Sequence, residues 1–206
     1  MKNNIALVDY GMGNLSSVLK KFKYMDARVF VTSSWKEIMG SDKIILVGVG
    51  HFRKAMDNLK QLDLIDSLNE AVMEKHKPVL GICLGMQLMA KTSEEGNADG
   101  LGWIDANVKK IQVSDTIKYK VPHVGWNQII KMKDSALMKG VNSTDEFYFA
   151  HSYHMDVFDS NLILNVTEYS NKFVSAIECD NIFGVQYHPE KSHDVGDILL
   201  SNFVGL

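Results

Sequence analysis

From residue 5 to residue 90, short apolar runs alternate with amphipathic stretches, and few folds accept that pattern. Residues 5–10, 28–32, 43–47 and 78–82 read as buried strands. Residues 16–25, 36–39, 62–75 and 84–90 read as helices, the second of them capped by Ser33 or Ser34. Within 62–75, Leu64, Ile65, Leu68 and Val72 fall on one helical face. Strand–helix–strand units cross over right-handed, so this half predicts an open, mostly parallel sheet with helices on both faces. The second half changes character. Residues 108–113, 117–121, 128–131, 147–150, 163–168, 173–178 and 182–186 are short strand candidates with few helices between them. They predict an antiparallel extension of the sheet, closed by a last helix at 195–204. A length of 206 residues fits one α/β domain over 1–206.

Several function classes are disfavoured by composition. A formal net charge of -3 offers no basic footprint for nucleic acid or an anionic membrane. The N-terminal apolar run is too short for a signal-peptide core or a membrane span, which points to the cytoplasm. Two cysteines, Cys83 and Cys179, make no disulfide framework and suit a reducing compartment. No C-x-x-C or H-E-x-x-H spacing exists, so neither a metal nor another cofactor is expected.

The most informative segment is P-V-L-G-I-C-L-G-M-Q-L-M at 78–89. A strand ends, a cysteine follows and a helix begins. Gly81 and Gly85 flank Cys83 at two residues on either side, the spacing of a sharp nucleophile elbow. Such a turn leaves no room for side chains at the flanking positions. It lifts the sulfur above the carboxyl ends of the strands, where open α/β sheets place their ligands. A lone cysteine is more often a small buried hydrophobe. Its setting makes Cys83 the candidate nucleophile, and the lack of such a setting leaves Cys179 in the ordinary class.

A cysteine nucleophile needs a base, and the base needs an orienting partner. Among the seven histidines, only His188 ends a predicted strand with a carboxylate, Glu190, two residues later. Glu190 can accept one imidazole N–H and so fix the tautomer. His76 and His193 lie in polar segments expected to be solvated, and His51, after G-V-G, is placed to line the site.

With these segments in hand, the sequence resembles the class I, Cys-His-Glu glutamine amidotransferases, and within them the glutaminase subunit of imidazole glycerol phosphate synthase. The resemblance rests on D-Y-G-M-G-N at 9–14, G-V-G at 48–50, G-I-C-L-G-M-Q at 81–87 and S-E-E-G at 93–96. It continues in P-H-V-G-W-N at 122–127, F-A-H-S-Y at 149–153 and Q-Y-H-P-E-K-S at 186–192. It implies that Cys83 attacks the glutamine amide, that His188 relays protons and that Glu190 orients it. It implies an oxyanion loop at Gly48, Val49 and Gly50, and glutamine contacts from Leu84, Gln87, Glu95, Ser152 and Tyr153. Trp126, Asn127 and Tyr148 resemble positions that meet a barrel-shaped cyclase subunit. In that heterodimer, ammonia passes to the cyclase for histidine biosynthesis.

The oxyanion segment departs from the usual P-G-V-G followed by small residues. Val47 stands where proline is usual, and His51 and Arg53 add bulk and charge. These changes predict a looser loop before Gly48 and a meeting of Arg53 with an acidic group on a partner. Three alternatives stand beside the leading reading. They are a paralogous glutaminase feeding amidination of a surface sugar, a non-catalytic scaffold subunit, and a cysteine hydrolase acting alone.

Overall fold

The computed structural model describes residues 3–206. The chain opens with β1 (Asn3–Val8), α1 (Leu15–Phe22), β2 (Ala27–Thr32), α2 (Trp35–Gly40) and β3 (Lys43–Gly48). Next come α3 (Phe52–Gln61), α4 (Ile65–Asn69), which runs on as a π-helical turn (Glu70–Glu74), and β4 (Val79–Cys83). After the single turn α5 (Leu84–Gln87), the chain forms β5 (Ala90–Ser93), β6 (Ala98–Asp99), β7 (Ile104–Lys110), β8 (His123–Gln128) and β9 (Ile130–Lys131). It ends with β10 (Glu146–His151), β11 (Tyr153–Val157), β12 (Ile163–Tyr169), β13 (Asn171–Cys179), β14 (Ile182–Val185) and α6 (His193–Gly205).

The large sheet runs β2-β1-β3-β4-β14-β13-β11-β7-β5-β6, with β12 on β13 and β9 on β12. Neighbours from β2 to β14 are parallel. Antiparallel pairing begins at β13–β14. This is a parallel α/β core with an antiparallel extension, as the two halves of the sequence predict. Strands β8 and β10 form a separate antiparallel ribbon.

Both faces of the parallel core are covered, so β3 reads K-I-I-L-V-G without alternation and is buried throughout. Ile44 and Leu46 pack with Ile38, Leu59 and Leu68 of α2, α3 and α4. Ile45 and Val47 pack on the opposite side with Val18 and Phe22 of α1 and Leu199 and Phe203 of α6. Lys43 is tolerated at the buried start of β3 because its ammonium donates to the carbonyls of Phe203 (2.9 Å) and Val204 (2.8 Å). Those are carbonyls at the end of α6 that lack helical partners.

Several expected elements differ. Residues 117–121 form no strand, and Ile117 is 87% exposed. The Asp115 carboxylate accepts from the N–H groups of Ile117 (2.9 Å) and Lys118 (3.0 Å), and this local turn overrides β propensity. The helix expected over 84–90 stops at Gln87, and Ala90 already belongs to β5. The segment expected as one helix at 62–75 starts only at Ile65, because Asp63 takes a positive φ of 53° and breaks it from α3. Helix α3 itself has no counterpart among the predicted elements, although Phe52, Ala55 and Leu59 carry its buried face. Ser34 occupies the N-cap of α2 without a side-chain cap bond. Instead the Thr32 hydroxyl accepts from the Ser34 N–H at 2.9 Å.

The tightest backbone approach joins α5 to β3. A Cβ built on Gly85 would lie 1.6 Å from the Leu46 carbonyl oxygen. Gly85→Ala is therefore expected to cost about 3 kcal/mol or more, since neither backbone can retreat without breaking the sheet. Gly40→Ala, whose methyl would meet nothing within 4 Å, is the control and should leave the denaturant midpoint unchanged or slightly raised. Equal midpoints for the two variants would contradict the close approach.

Candidate functional site

Cys83 is the last residue of β4 and precedes α5, with φ 55° and ψ -110°. That backbone is strained for a residue with a side chain. Two glycines permit it. A Cβ on Gly81 would come 2.7 Å from the Met86 nitrogen, and Gly85 is the contact with Leu46 described above. The sulfur is nearly buried, with only 5% of the residue exposed. Since α5 is a single turn, the helix expected over 84–90 behind the cysteine is cut short.

Strand β14 lies parallel to β4 with Val185 opposite Ile82, so the chain after β14 leaves the sheet on the same edge as Cys83. That register brings His188 to the cysteine. His188 is fully buried, and its Nδ1 lies 2.8 Å from Glu190 Oε1. Its backbone is held as well, its N–H donating to the Tyr148 carbonyl at 2.8 Å and its own carbonyl accepting from Ser192 Oγ at 2.6 Å. The contact with Glu190 places a proton on Nδ1 and leaves Nε2, which has no hydrogen-bond partner, on the cysteine side. Burial alone would lower the His188 pKa, but the adjacent Cys83 sulfur and the Glu190 carboxylate outweigh it and raise it to about 9.

A cavity of about 170 Å³ opens over the sulfur. Val49, Gly50, Leu84 and Gln87 line it together with Cys83. Glu95, Ser152 and Tyr153 line it as well. Gly48 lies behind the cavity, in register with Cys83, where a Cβ would sit 2.1 Å from the Tyr10 hydroxyl. Its space is small enough for an amino acid and too small for a drug-sized ligand. Among the described residues, no group of three or more histidine, cysteine or carboxylate side chains is arranged to hold a metal.

The residues that depart from the usual oxyanion segment sit differently from expectation. Val47 is buried inside β3 opposite Ile82, so no loose segment precedes Gly48, and irregular backbone begins only at Val49. Arg53 turns onto its own chain, donating to the carbonyls of Gly96 and Asn97. His51 is exposed and packs near Gly96, outside the cavity. Glu95 is tied to the same place, its carboxylate accepting from the Phe52 N–H at 2.8 Å.

The three expected interface residues separate. Trp126 and Tyr148 are register partners in the β8–β10 ribbon, with ring centroids 5.8 Å apart. Trp126 also stacks on His193 at 4.8 Å, with the rings 2° from parallel. With Val124, two residues earlier, Trp126 leaves an exposed apolar face on β8. Asn127 points to the other side and donates to the Glu168 carbonyl at 3.0 Å.

Sequence reasoning missed Gln186, His123 and His151 as members of the site. Gln186 donates toward the Cys83 sulfur at 3.7 Å and accepts from Gln87 Nε2 at 2.9 Å. It opens the Q-Y-H-P-E-K-S segment, yet strand alternation gives it no distinct signal. His151 lines the cavity and its Nε2 meets His123 Nδ1 at 3.0 Å. Burial holds both rings neutral, with pKa values lowered to about 4 for His123 and about 3 for His151.

The family described as glutamine amidotransferase class-I matches residues 6–205 of the chain. A Pseudomonas aeruginosa protein named imidazole glycerol phosphate synthase subunit HisH 2 is 44% identical over 202 residues, covering 98% of this chain and 99% of its own. A Methanococcus maripaludis protein of the same name is 44% identical over 200 residues, covering 97% and 98%. Among solved structures, one described as a glutamine amidotransferase superposes with a TM-score of 0.75 at 14% identity, covering 98% of this chain and 99% of its own. A chain of the PurLQS structure from Thermotoga maritima gives 0.71 at 13% identity, covering 100% and 99%. At those identities the structures speak for the fold.

The two neutral histidines have a measurable consequence. Each folded pKa lies below the ordinary value near 6.5, so unfolding below that pH takes up protons and stability falls with acid. The loss should begin near pH 6.5 and continue down through about 4. His123→Phe should flatten the dependence of unfolding free energy on pH between 6.5 and 4.5 by up to about one proton. Equal slopes for the two proteins, measured by urea titration, would contradict the burial of a neutral His123.

Proposed function

Because the chain belongs to the class-I glutamine amidotransferase family, we propose that Cys83, His188 and Glu190 are its catalytic triad and that its substrate is glutamine. The observation that supports this most directly is His188, buried, bound to Glu190 through Nδ1 and presenting an unpaired Nε2 beside Cys83. His188, its pKa raised to about 9, holds the thiol's proton on Nε2 while the sulfur attacks the carboxamide carbon of glutamine. The amide oxygen becomes an oxyanion facing the Leu84 backbone and the segment of Val49 and Gly50, whose N–H groups are the available donors. His188 returns the proton to the amide nitrogen, the C–N bond breaks and ammonia leaves. A thioester remains on Cys83. Water, deprotonated by His188, attacks it and releases glutamate with regeneration of the thiol. Glu190 stabilises the imidazolium at both stages and keeps its tautomer.

Around this chemistry, Gln87, Glu95, Ser152 and Tyr153 form the walls that orient the amino acid. The partner in this reading is the cyclase subunit of imidazole glycerol phosphate synthase, a barrel. It docks on the exposed face of Val124, Trp126 and Tyr148. The products are then imidazole glycerol phosphate and an aminoimidazole carboxamide ribotide, and the setting is the cytoplasm. The relatives' names support this assignment. The ribbon carrying that face also carries the Tyr148 carbonyl that binds the His188 N–H, so docking next to it reaches the base directly.

Cys83→Ala in the assembled complex should reduce glutamine-dependent turnover by at least about a thousandfold, since Cys83 carries the only thiol among the residues that line the cavity. Turnover driven by ammonium salts should persist, because that route bypasses the glutaminase. Loss of both would indicate a structural role for Cys83. Complementation of a histidine auxotroph lacking this subunit tests the pathway. An active glutaminase that fails to complement would favour the sugar-amidination alternative. The scaffold alternative requires a wild-type complex with no glutamine hydrolysis.

A further inference from the structure

The hydrogen-bond order around His123 and His151 is fixed by one carbonyl. His151 Nδ1 lies 2.8 Å from the Tyr153 carbonyl oxygen, which can only accept, so Nδ1 carries the hydrogen. In a neutral ring, His151 Nε2 is then a lone pair. The His123 Nδ1, 3.0 Å away, must donate to it. His123 Nε2 is left as an acceptor, with Asn127 Nδ2 at 3.4 Å as its nearest donor. Both rings are therefore Nδ1–H tautomers, and the polarity of the whole row points at Tyr153.

The same Tyr153 carbonyl accepts a second hydrogen bond from Gln87 Nε2 at 2.9 Å. Gln87 Nε2 also reaches Gln186 Oε1, and Gln186 Nε2 reaches the Cys83 sulfur. One carbonyl thus joins the histidine row to the floor of the cavity. Packing alone does not call for imidazoles here. His123 stacks with Tyr169 at 3.9 Å and with Phe149 at 4.9 Å between centroids, contacts a phenyl ring makes equally well. Two buried polar rings are worth their desolvation only if their hydrogen bonds hold something in place.

We propose that His123 and His151 are positioning residues that hold the Ser152 and Tyr153 backbone at the spacing from Gln87 and Cys83 that bound glutamine requires. The proposal rests on the glutaminase reading and adds residues to its binding wall. Neither ring contributes a proton to the reaction. Their effect is on how well the wall fits the substrate, so it is expressed in KM more than in kcat.

The test compares two substitutions in the complex with the cyclase subunit. His123→Phe keeps the stack and deletes the donor. His123→Asn loses the ring but keeps an amide N–H near the position of Nδ1. A hydrogen bond of ordinary strength predicts a rise of about tenfold in KM for glutamine with His123→Phe, and a kcat within about threefold. His123→Asn should recover most of that loss. Ammonium-driven turnover should be unchanged in both and serves as the control for folding and assembly. Imidazole nitrogen NMR of the wild-type chain should show Nδ1–H tautomers at both histidines. If His123→Phe does not fold, His151→Leu against His151→Asn repeats the comparison, the asparagine keeping a donor for the Tyr153 carbonyl. An unchanged KM with either apolar variant, no rescue by asparagine, or an Nε2–H tautomer at either ring would overturn the proposal while leaving the glutaminase reading standing. A wild-type complex that hydrolyses no glutamine would remove that reading and this proposal with it.

Discussion

The whole site depends on the backbone contact between Gly85 and the Leu46 carbonyl. It lets the chain turn out of β4 hard against β3, so that Cys83 stands opposite Gly48 at the end of both strands. The positive φ at Cys83 is unfavourable by itself, and buried neighbours on three strands hold it. The core beneath is apolar on both faces, so relaxing the turn would separate Leu46 and Ile82 from their packing. The strain is thus set against burial distributed over the entire sheet, which a local rearrangement cannot relieve.

A second constraint follows from the strand order. Because β14 is parallel to β4 and adjacent to it, the residues after each strand emerge side by side. His188 needs no long loop to meet Cys83. The following Pro189 begins a short 3-10 turn that brings Glu190 back over the ring. The pair is buried, so the interactions of the imidazole with the Cys83 sulfur and the Glu190 carboxylate are little screened and together outweigh the desolvation of the ring. An exposed histidine with the same neighbour would gain much less.

How far these features could be read from the sequence differs by element. The elbow and the H-P-E segment were legible because glycine and proline place rigid demands on backbone at fixed offsets. The parallel half was legible from its alternation of apolar runs. Helix α3 was not, since its buried positions Phe52, Ala55 and Leu59 are diluted by charged residues right after the glycine loop. Residues 117–121 carry β-favouring types, and nothing local weighs them against the Asp115 turn. Leu88 and Met89 are buried like a helix face, yet the chain turns into β5, because Leu101 and Ile104 donate backbone hydrogen bonds to their carbonyls. Such pairing is non-local, and spacing within one segment cannot reveal it. For the same reason Gln186, His123 and His151 escaped notice: each is polar, buried and meaningful only through partners distant in sequence.

Strand β10 ties these parts together. Its alternate residues Phe147, Phe149 and His151 face the core, and Tyr148 and Ala150 face the other way. The Tyr148 carbonyl accepts from the His188 N–H, and the Ala150 carbonyl lies 4.0 Å from the Cys83 sulfur. His151, at the end of the strand, forms part of the cavity wall. A strand is stiff along its length, so His188, Cys83 and the cavity wall share a single ruler. β10 pairs with β8 over six residues, and β8 carries the exposed Trp126. Through β10, continuous backbone joins the ribbon that carries Trp126 to three parts of the site. Preorganisation of this kind favours adjustments of a few tenths of an ångström over large closures, and hydrogen bonds at 2.8 Å are sensitive to changes of that size.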